Sequence, residues 1–238
     1  MSAAHKPIYI ARFQNVGLRY ETGPEVLSNI NLYLEKGSFH FLTGSSGAGK
    51  SSLLKLLYLG LLPTRGIVHL FGRDPMSITP QERPYFRQKI GVVFQDFNLI
   101  EHLSALDNVA LPLKVSGVSP IKARKHAAEI LDWVGLAEFI YALPATLSGG
   151  QRQRVCIARA VITQPDLLLA DEPTGNVDDQ LAMKLLYLFE ELNKMGTTVV
   201  LATHNRYVSA EFDHPILHLE KGRIILPGNE KTKVIQNG

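Results

Sequence analysis

The segment that most constrains this chain is a glycine-rich stretch at residues 44–51, which reads Gly-Ser-Ser-Gly-Ala-Gly-Lys-Ser. Apolar residues 39–42 precede it in the pattern of a short buried strand, and the leucines that follow it favour a helix. Glycines at this spacing let successive backbone N–H groups face one anion, and the start of a helix adds its positive dipole end. The segment therefore predicts a binding site for the phosphates of a nucleoside triphosphate.

Within this phosphate loop, Lys50 is predicted to neutralise the β- and γ-phosphates and the Ser51 hydroxyl to ligate Mg²⁺. Kinases, GTPases, helicases and transport ATPases share such a loop, so the loop alone does not choose among them. The nucleotide-binding residues predicted here are Gly44, Ser45, Ser46, Gly47, Ala48, Gly49, Lys50, Ser51 and Ser52.

A second candidate site, formed by two acidic residues, follows the apolar run at residues 167–170. The end of a parallel strand beside a phosphate loop is where an aspartate is needed to organise Mg²⁺, and Asp171 stands there. Glu172 is then placed to orient and deprotonate the attacking water. Together with the phosphate loop, the two carboxylates predict nucleotide hydrolysis.

Residues 147–151 read Leu-Ser-Gly-Gly-Gln and lie between the phosphate loop and the acidic strand. This signature segment resembles that of the ABC ATPases. The resemblance implies that Ser148, Gly149, Gly150 and Gln151 serve the nucleotide held by the opposite protomer. It also implies a two-fold, head-to-tail homodimer that forms on ATP binding and holds two ATP molecules between its subunits.

Further residues match the same family pattern. Gln95 resembles the glutamine that contacts Mg²⁺ and water and senses the membrane partner, and His204 resembles the histidine that touches the γ-phosphate. Asp178 matches an aspartate that couples the two sites, and Tyr20 the aromatic residue that stacks on adenine. The resemblance implies a catalytic set of Glu172, Lys50, His204 and Gln95, with Ser51, Gln95 and Asp171 as metal ligands.

Strand-like and helix-like segments alternate, which favours an α/β fold with a largely parallel sheet. Short strands with little helix between them are indicated at residues 8–13, 17–20, 27–34 and 66–71, and strands return at 167–170, 197–202 and 215–219. The family resemblance implies a P-loop NTPase with a RecA-like parallel core, a small antiparallel β layer and an inserted helical subdomain. We expect a single ATPase domain over 1–238, the helical subdomain over 96–147 and a loosely held tail over 227–238.

Composition limits the possible partners. The 25 lysines and arginines face 22 aspartates and glutamates, and a net charge of +3 favours a solvated surface over nucleic acid. The single cysteine excludes an internal disulfide, and no apolar run approaches the ~20 residues of a membrane span. We therefore expect a cytosolic protein without direct membrane insertion, which reaches a membrane only through a partner.

Three segments, residues 91–99, 107–113 and 170–176, resemble the FtsE family of bacterial cell-division ATPases. The resemblance implies a peripheral position at the cytoplasmic side of the inner membrane, beside an FtsX-like integral membrane protein. ATP cycling there would regulate peptidoglycan hydrolases across the membrane. The run Asp-Glu-Pro-Thr-Gly-Asn at 171–176 is shared with lipoprotein-releasing and export ATPases, so those remain an alternative, and a non-transport soluble ABC ATPase is a further one.

Overall fold

The computed structural model describes residues 7–175, 177–204 and 211–225. The predicted tail at 227–238, and Asn176 of the third quoted segment, lie outside these residues. The strands are β1 (Tyr9–Arg19), β2 (Glu25–Glu35), β3 (Phe39–Thr43), β4 (Arg65–Leu70), β5 (Ile90–Val93), β6 (Leu167–Asp171), β7 (Thr198–Ala202), β8 (Ile216–Glu220) and β9 (Arg223–Ile225). The helices are α1 (Lys50–Leu57), α2 (Arg83–Gln88), α3 (Ala105–Val115), α4 (Pro120–Trp133), α5 (Gly149–Val161) and α6 (Asp179–Lys194).

A six-stranded sheet in the order β5-β6-β7-β3-β8-β9 forms the centre of the fold. All its pairs are parallel except β8 with β9. Ala202 pairs with both Leu42 and Asp171, and Val93 pairs with Ala170. This register brings the carboxyl ends of β5, β6, β7 and β3 to one edge, where ligand sites form in parallel sheets.

Both faces of this sheet are covered, which explains its uninterrupted apolar strands. Leu167 and Leu169 of β6 pack in the cluster that includes α1 and the smaller sheet. Leu168 and Ala170 face the opposite cluster, with residues of α5 and α6. The alternation along one strand follows from side chains that point to opposite faces of a sheet.

The smaller sheet is antiparallel, in the order β2-β1-β4. The sequence pattern indicated two strands at 8–13 and 17–20, but this is wrong, because β1 runs without a turn from Tyr9 to Arg19. The register shifts between Phe13 and Val16, and Asn15 has a φ of 50°. An irregularity of the β-bulge kind therefore interrupts the apolar alternation without ending the strand.

The helical subdomain is built by α3, α4 and the outer face of α5. Its first helix, α3, begins at Ala105, nine residues after the start of the helical subdomain expected over 96–147. The preceding loop is held by Asn108, which is fully buried and donates to the carbonyls of Ile100, Leu103 and Ser104. These bonds give the loop carbonyls partners without a helix. Helix α4 begins at Pro120 with Ser119 as its N-cap residue, whose side chain makes no capping hydrogen bond.

Candidate active site

The phosphate loop joins β3 to α1, and three of its glycines have backbone angles that favour glycine. The φ values are 151° at Gly44, 76° at Gly47 and 108° at Gly49. A Cβ on Gly44 would lie 2.2 Å from the Leu219 carbonyl oxygen, and one on Gly49 would lie 2.8 Å from a methyl carbon of Leu27. Glycine at 44 and 49 is thus required by both conformation and space.

Lys50 is the first residue of α1, and its ammonium group reaches back across the loop. Its Nζ donates to the carbonyl oxygens of Gly44 at 2.8 Å and Ser45 at 3.2 Å. These bonds hold a positive charge within the curl of the backbone. A phosphate group at this position would meet the charge, the loop amides and the helix end together.

Ser51 and Asp171 link the phosphate loop to the end of β6. The Ser51 hydroxyl donates to the Asp171 carboxylate at 2.8 Å. Burial raises the pKa of Asp171, the Ser51 bond partly offsets this, and the neighbouring Glu172 raises it further. A hydroxyl beside a buried carboxylate is a pair of hard oxygen donors, which suits Mg²⁺, and a cation there would favour the ionised carboxylate.

Glu172 leaves the line of β6 with a φ of 49°, in the left-handed region. Its backbone N–H donates to the Ala202 carbonyl at 3.0 Å, which ties the bend to β7. Its carboxylate Oε1 lies 2.8 Å from Nδ1 of His204, with 15% of the Glu172 side chain and 75% of the His204 side chain exposed. The bend therefore places the mostly buried Glu172 carboxylate against His204, which orients it at the surface of the cleft.

These groups line a single cleft of about 760 Å³. The predicted residues that line it are Ser46, Gly47, Gly49, Lys50, Ser51, Ser52, Gln95, Asp171, Glu172 and His204. Gly44, Ser45 and Ala48 belong to the loop but do not line the cleft. The Tyr20 hydroxyl is 3.0 Å from Oγ of Ser52 and 42% of Tyr20 is exposed, but Tyr20 is not one of the residues that line the cleft.

The predicted signature residues occupy another position. Ser148 caps α5: its hydroxyl accepts from the Gln151 N–H at 3.2 Å, and the Gln151 side chain accepts from the Ser148 N–H at 2.7 Å. Asp178 caps α6 by accepting from the Leu181 N–H at 2.9 Å. Neither Asp178 nor any of the signature residues Ser148, Gly149, Gly150 and Gln151 lines the cleft of its own chain.

The sequence profile of the ABC transporter family matches residues 27–175, a span that includes the phosphate loop, the signature segment and both acids. This chain belongs to the ABC transporter family. It is an ATP-binding, ATP-hydrolysing subunit of the ABC type.

Relatives and solved structures agree with this assignment. The chain is 42% identical to the cell division ATP-binding protein FtsE of Escherichia coli strain K12, over 90% of this chain and 96% of that protein. It is 40% identical to FtsE of Bacillus subtilis, over 87% and 90% respectively. Its fold matches a dimeric ATP-binding cassette in a post-hydrolysis state bound to ADP and phosphate, with a TM-score of 0.85, 37% identity and coverage of 90% and 96%. A dimeric bacterial ABC transporter cassette matches with a TM-score of 0.85 and 38% identity, again over 90% and 96%.

Sequence reasoning missed the turn between β8 and β9, which supports the cassette's phosphate loop. The Gly222 N–H donates to the Ala48 carbonyl at 3.1 Å, and its carbonyl accepts from the Ser28 N–H at 2.8 Å. A Cβ on Gly222 would lie 2.3 Å from the Val26 carbonyl oxygen, and Val26 lines the cleft. The Lys221-Gly222 pair, both at positive φ, is a turn signal visible in the sequence, but its contact with the loop is not.

Within the described parts of this cassette, no helix is both long and apolar enough to cross a bilayer. Across the same residues, no group of three or more histidine, cysteine, aspartate or glutamate side chains is arranged to hold a metal ion.

Proposed function

We propose that this chain is the ATPase subunit of a bacterial cell-division complex at the cytoplasmic side of the inner membrane. Its partner there is an FtsX-like integral membrane protein, and ATP cycling regulates peptidoglycan hydrolases on the other side. The observation that carries the proposal is the similarity to FtsE proteins, which extends along about nine-tenths of this chain in both E. coli and B. subtilis.

The phosphates of ATP bind the loop from Gly44 to Ser51, and Lys50 exchanges its bonds to loop carbonyls for bonds to phosphate oxygens. Tyr20 stacks on the adenine. Ser51, Asp171 and Gln95 are the residues that would hold Mg²⁺, which when bound neutralises charge on the β- and γ-phosphates. Because protonated Asp171 is a poor cation ligand, Mg²⁺ binding weakens as the pH falls through the raised pKa of this residue.

Glu172 acts as the general base in this proposal. Its carboxylate accepts a proton from the attacking water, and oxygen of that water attacks the γ-phosphorus as the bond to the leaving ADP oxygen breaks. His204 holds the carboxylate through Nδ1, which orients Glu172 toward the water. At the exposed edge of the cleft, the other ring nitrogen of His204 faces the γ-phosphate in this proposal.

The signature residues complete the site from a second copy of the chain. Ser148 and the amides of Gly149 and Gly150 stand at the start of α5, where partial positive charge favours an anion. In a head-to-tail dimer, these groups of one protomer close over the γ-phosphate held by the other, with Gln151 and Asp178 at the same interface. Hydrolysis removes the bridging phosphate and releases the pair.

A groove of about 650 Å³ is proposed as the docking site for a segment of the membrane protein. It opens between the core and α3, and its apolar lining includes Leu111 and Val115, the latter 62% exposed. Phe94 and Asn98 also line it, and these residues flank Gln95. A segment bound here would contact the same stretch of chain that reaches the nucleotide.

The proposal is tested by purifying the tagged chain from detergent-solubilised membranes of its own organism, with mass spectrometry of the proteins that accompany it. Val115→Glu places a charge in the groove at a residue that does not line the cleft, and it should reduce recovery of the membrane protein while leaving ATP hydrolysis intact. Recovery of an FtsX-like protein with the wild-type chain, and reduced recovery with Val115→Glu, supports the division role. Recovery of a lipoprotein-releasing or export permease instead would keep the ATPase and replace the proposed process by the alternative.

A further inference from the structure

The turn that carries Gln95 has a conformation that needs support from outside. The Phe97 N–H donates to the Phe94 carbonyl at 3.3 Å, so Gln95 and Asp96 form the corner of a turn. The next two residues, Phe97 and Asn98, have φ values of 61° and 49°. Asparagine tolerates the left-handed region, but phenylalanine rarely adopts it, so surrounding contacts must hold the backbone there.

Helix α5 supplies those contacts through three side chains. The Arg159 guanidinium donates from Nη2 to the Phe97 carbonyl at 2.9 Å and from Nη1 to the Asn98 carbonyl at 2.6 Å. The Cys156 thiol, fully buried, donates to the Phe97 carbonyl at 3.0 Å. The Arg152 guanidinium, from the same helix, lies 5.0 Å from the centre of the Phe97 ring.

The chemistry of these donors suits a permanent clamp. Charged donors to carbonyls form stronger hydrogen bonds than neutral ones, and a guanidinium can serve two acceptors at fixed geometry. Burial raises the pKa of Cys156 to about 12, so the thiol keeps its proton and remains a donor. Both φ-strained residues therefore have their carbonyls tied to one rigid element.

We propose that Arg159 and Cys156 are positioning residues for Gln95, acting through the Phe97–Asn98 turn. Helix α5 begins next to Ser148, and Arg159 lies about 16 Å along it at 1.5 Å per residue. One helix thus carries the signature at its start and the clamp near its end. A shift of α5 on closure of the dimer would be passed to Gln95 in the chain's own cleft. The proposal rests on the role given to Gln95 above.

A purely structural role for Arg159 predicts a different kinetic behaviour. If the guanidinium only satisfies two loop carbonyls, its loss should weaken folding and slow hydrolysis independently of Gln95. If it acts through Gln95, its loss should matter little once the Gln95 side chain has been removed. Mutations that act through one shared group are non-additive, and a double-mutant cycle measures this.

The experiment compares phosphate release by Arg159→Met, Gln95→Ala and the double variant of the full-length chain. Arg159→Met should lower kcat about tenfold, with the KM for ATP changed by less than about twofold. The double variant should match Gln95→Ala within about twofold. Arg154→Met is the matched control, because Arg154 lies on the same helix but donates to the carbonyls of Val134, Gly135 and Gly150 and to none in the turn at residues 94–98. Any fold-loss of kcat that Arg154→Met causes should multiply with the fold-loss caused by Gln95→Ala when the two substitutions are combined.

Hydrogen exchange of the amides at residues 94–99 provides a readout that is independent of catalysis. It should be faster in Arg159→Met than in the wild type and unchanged in Arg154→Met. Arg159→Lys, which keeps the charge and one donor, should recover part of the lost kcat. Where Arg159→Met does not fold, Cys156→Ala replaces it and should give a smaller, equally non-additive loss.

Two results would overturn the clamp while leaving the proposed function intact. One is a double variant whose loss of kcat is the product of the losses caused by Arg159→Met and Gln95→Ala. The other is amide hydrogen exchange at residues 94–99 that Arg159→Met does not alter. A Gln95→Ala variant with unchanged kcat would overturn both the clamp and the catalytic role proposed for Gln95. Failure to recover a membrane partner bears on the division role alone, since the kinetic cycle uses the isolated chain.

Discussion

At the scale of single residues, the cleft depends on a few strained or buried positions. Glu172 stands at a φ of 49° and Gly44 at 151°, and each bends the chain sharply at the end of a parallel strand. These bends direct the Glu172 carboxylate and the backbone amides of the phosphate loop toward the same cleft. Strain of this kind at Glu172 persists only where surrounding structure compensates for it, here through the bond from its N–H to the Ala202 carbonyl. At Gly44 the missing Cβ permits both the angle and the close approach of Leu219.

Glu172→Gln tests the general base at this scale. The amide keeps the size of the side chain but cannot accept a proton, so turnover should fall by at least about 100-fold while ATP binding is retained. Phosphate release and binding of a fluorescent nucleotide analogue would measure the two effects. Glu191→Gln is the control, because Glu191 is exposed and pairs with Lys194 on the surface of α6. Near wild-type turnover in Glu172→Gln would remove this residue from catalysis.

At the scale of elements, α5 joins separate tasks along one helix. Its start is closed by the reciprocal bonds of Ser148 and Gln151, and its inner face packs against β5 and β6. The capping hydroxyl of Ser148 satisfies the Gln151 N–H, while the amides of the first turn stay directed along the helix axis. The cap that stabilises the helix is therefore the same group that is proposed to face a phosphate.

Ser148→Asp separates these two roles. Aspartate caps a helix as well as serine does, so the free energy of unfolding should change by less than about 1 kcal/mol. Its charge would repel the γ-phosphate of the other protomer, so ATP-dependent dimerisation should be lost. Thermal unfolding and size-exclusion chromatography in a Glu172→Gln background would show this.

The control for this charge is Ser119→Asp, at the cap of α4, which should leave dimerisation unchanged. An ATP-dependent dimer in the Ser148→Asp variant would contradict the proposed contact with phosphate.

At the scale of the whole molecule, the cleft of one chain contains the phosphate loop and both acids but not the signature residues. The two matching solved cassettes are described as dimeric, one of them with ADP and phosphate bound. A head-to-tail pair would give two equivalent composite sites, since a two-fold axis repeats each contact.

Mixing two inactive variants tests this arrangement. Lys50→Ala disables the phosphate loop and Ser148→Asp disables the signature, so neither homodimer has a working site. A heterodimer has one intact site of two, so mixing should restore phosphate release in proportion to the heterodimers formed, up to about half of the wild-type rate. The absence of recovery, in a mixture shown to form heterodimers, would mean that both motifs act within one chain.

Several features of this cassette follow from local sequence. The phosphate loop, Asp171 and Glu172 were predicted because glycine spacing and an acid after an apolar strand are short-range patterns. The register of β6, β7 and β3 then brings these segments together, as parallel strands that share an edge must. The two strands predicted within β1 were wrong because a bulge and a turn interrupt apolar alternation in similar ways.

Other features were decided by tertiary structure alone. Nothing within the local pattern of Arg159 or Gly222 indicates that these residues hold loops at the cleft, because each bonds to backbone far away in the chain. Hydrogen bonds to distant carbonyls leave no periodicity in the sequence. The sequence by itself thus determined which chemical groups are present and which strand ends carry them. Their orientation depended on long-range packing, because left-handed turns at Phe97 and Glu172 are stable only in contact with neighbouring elements.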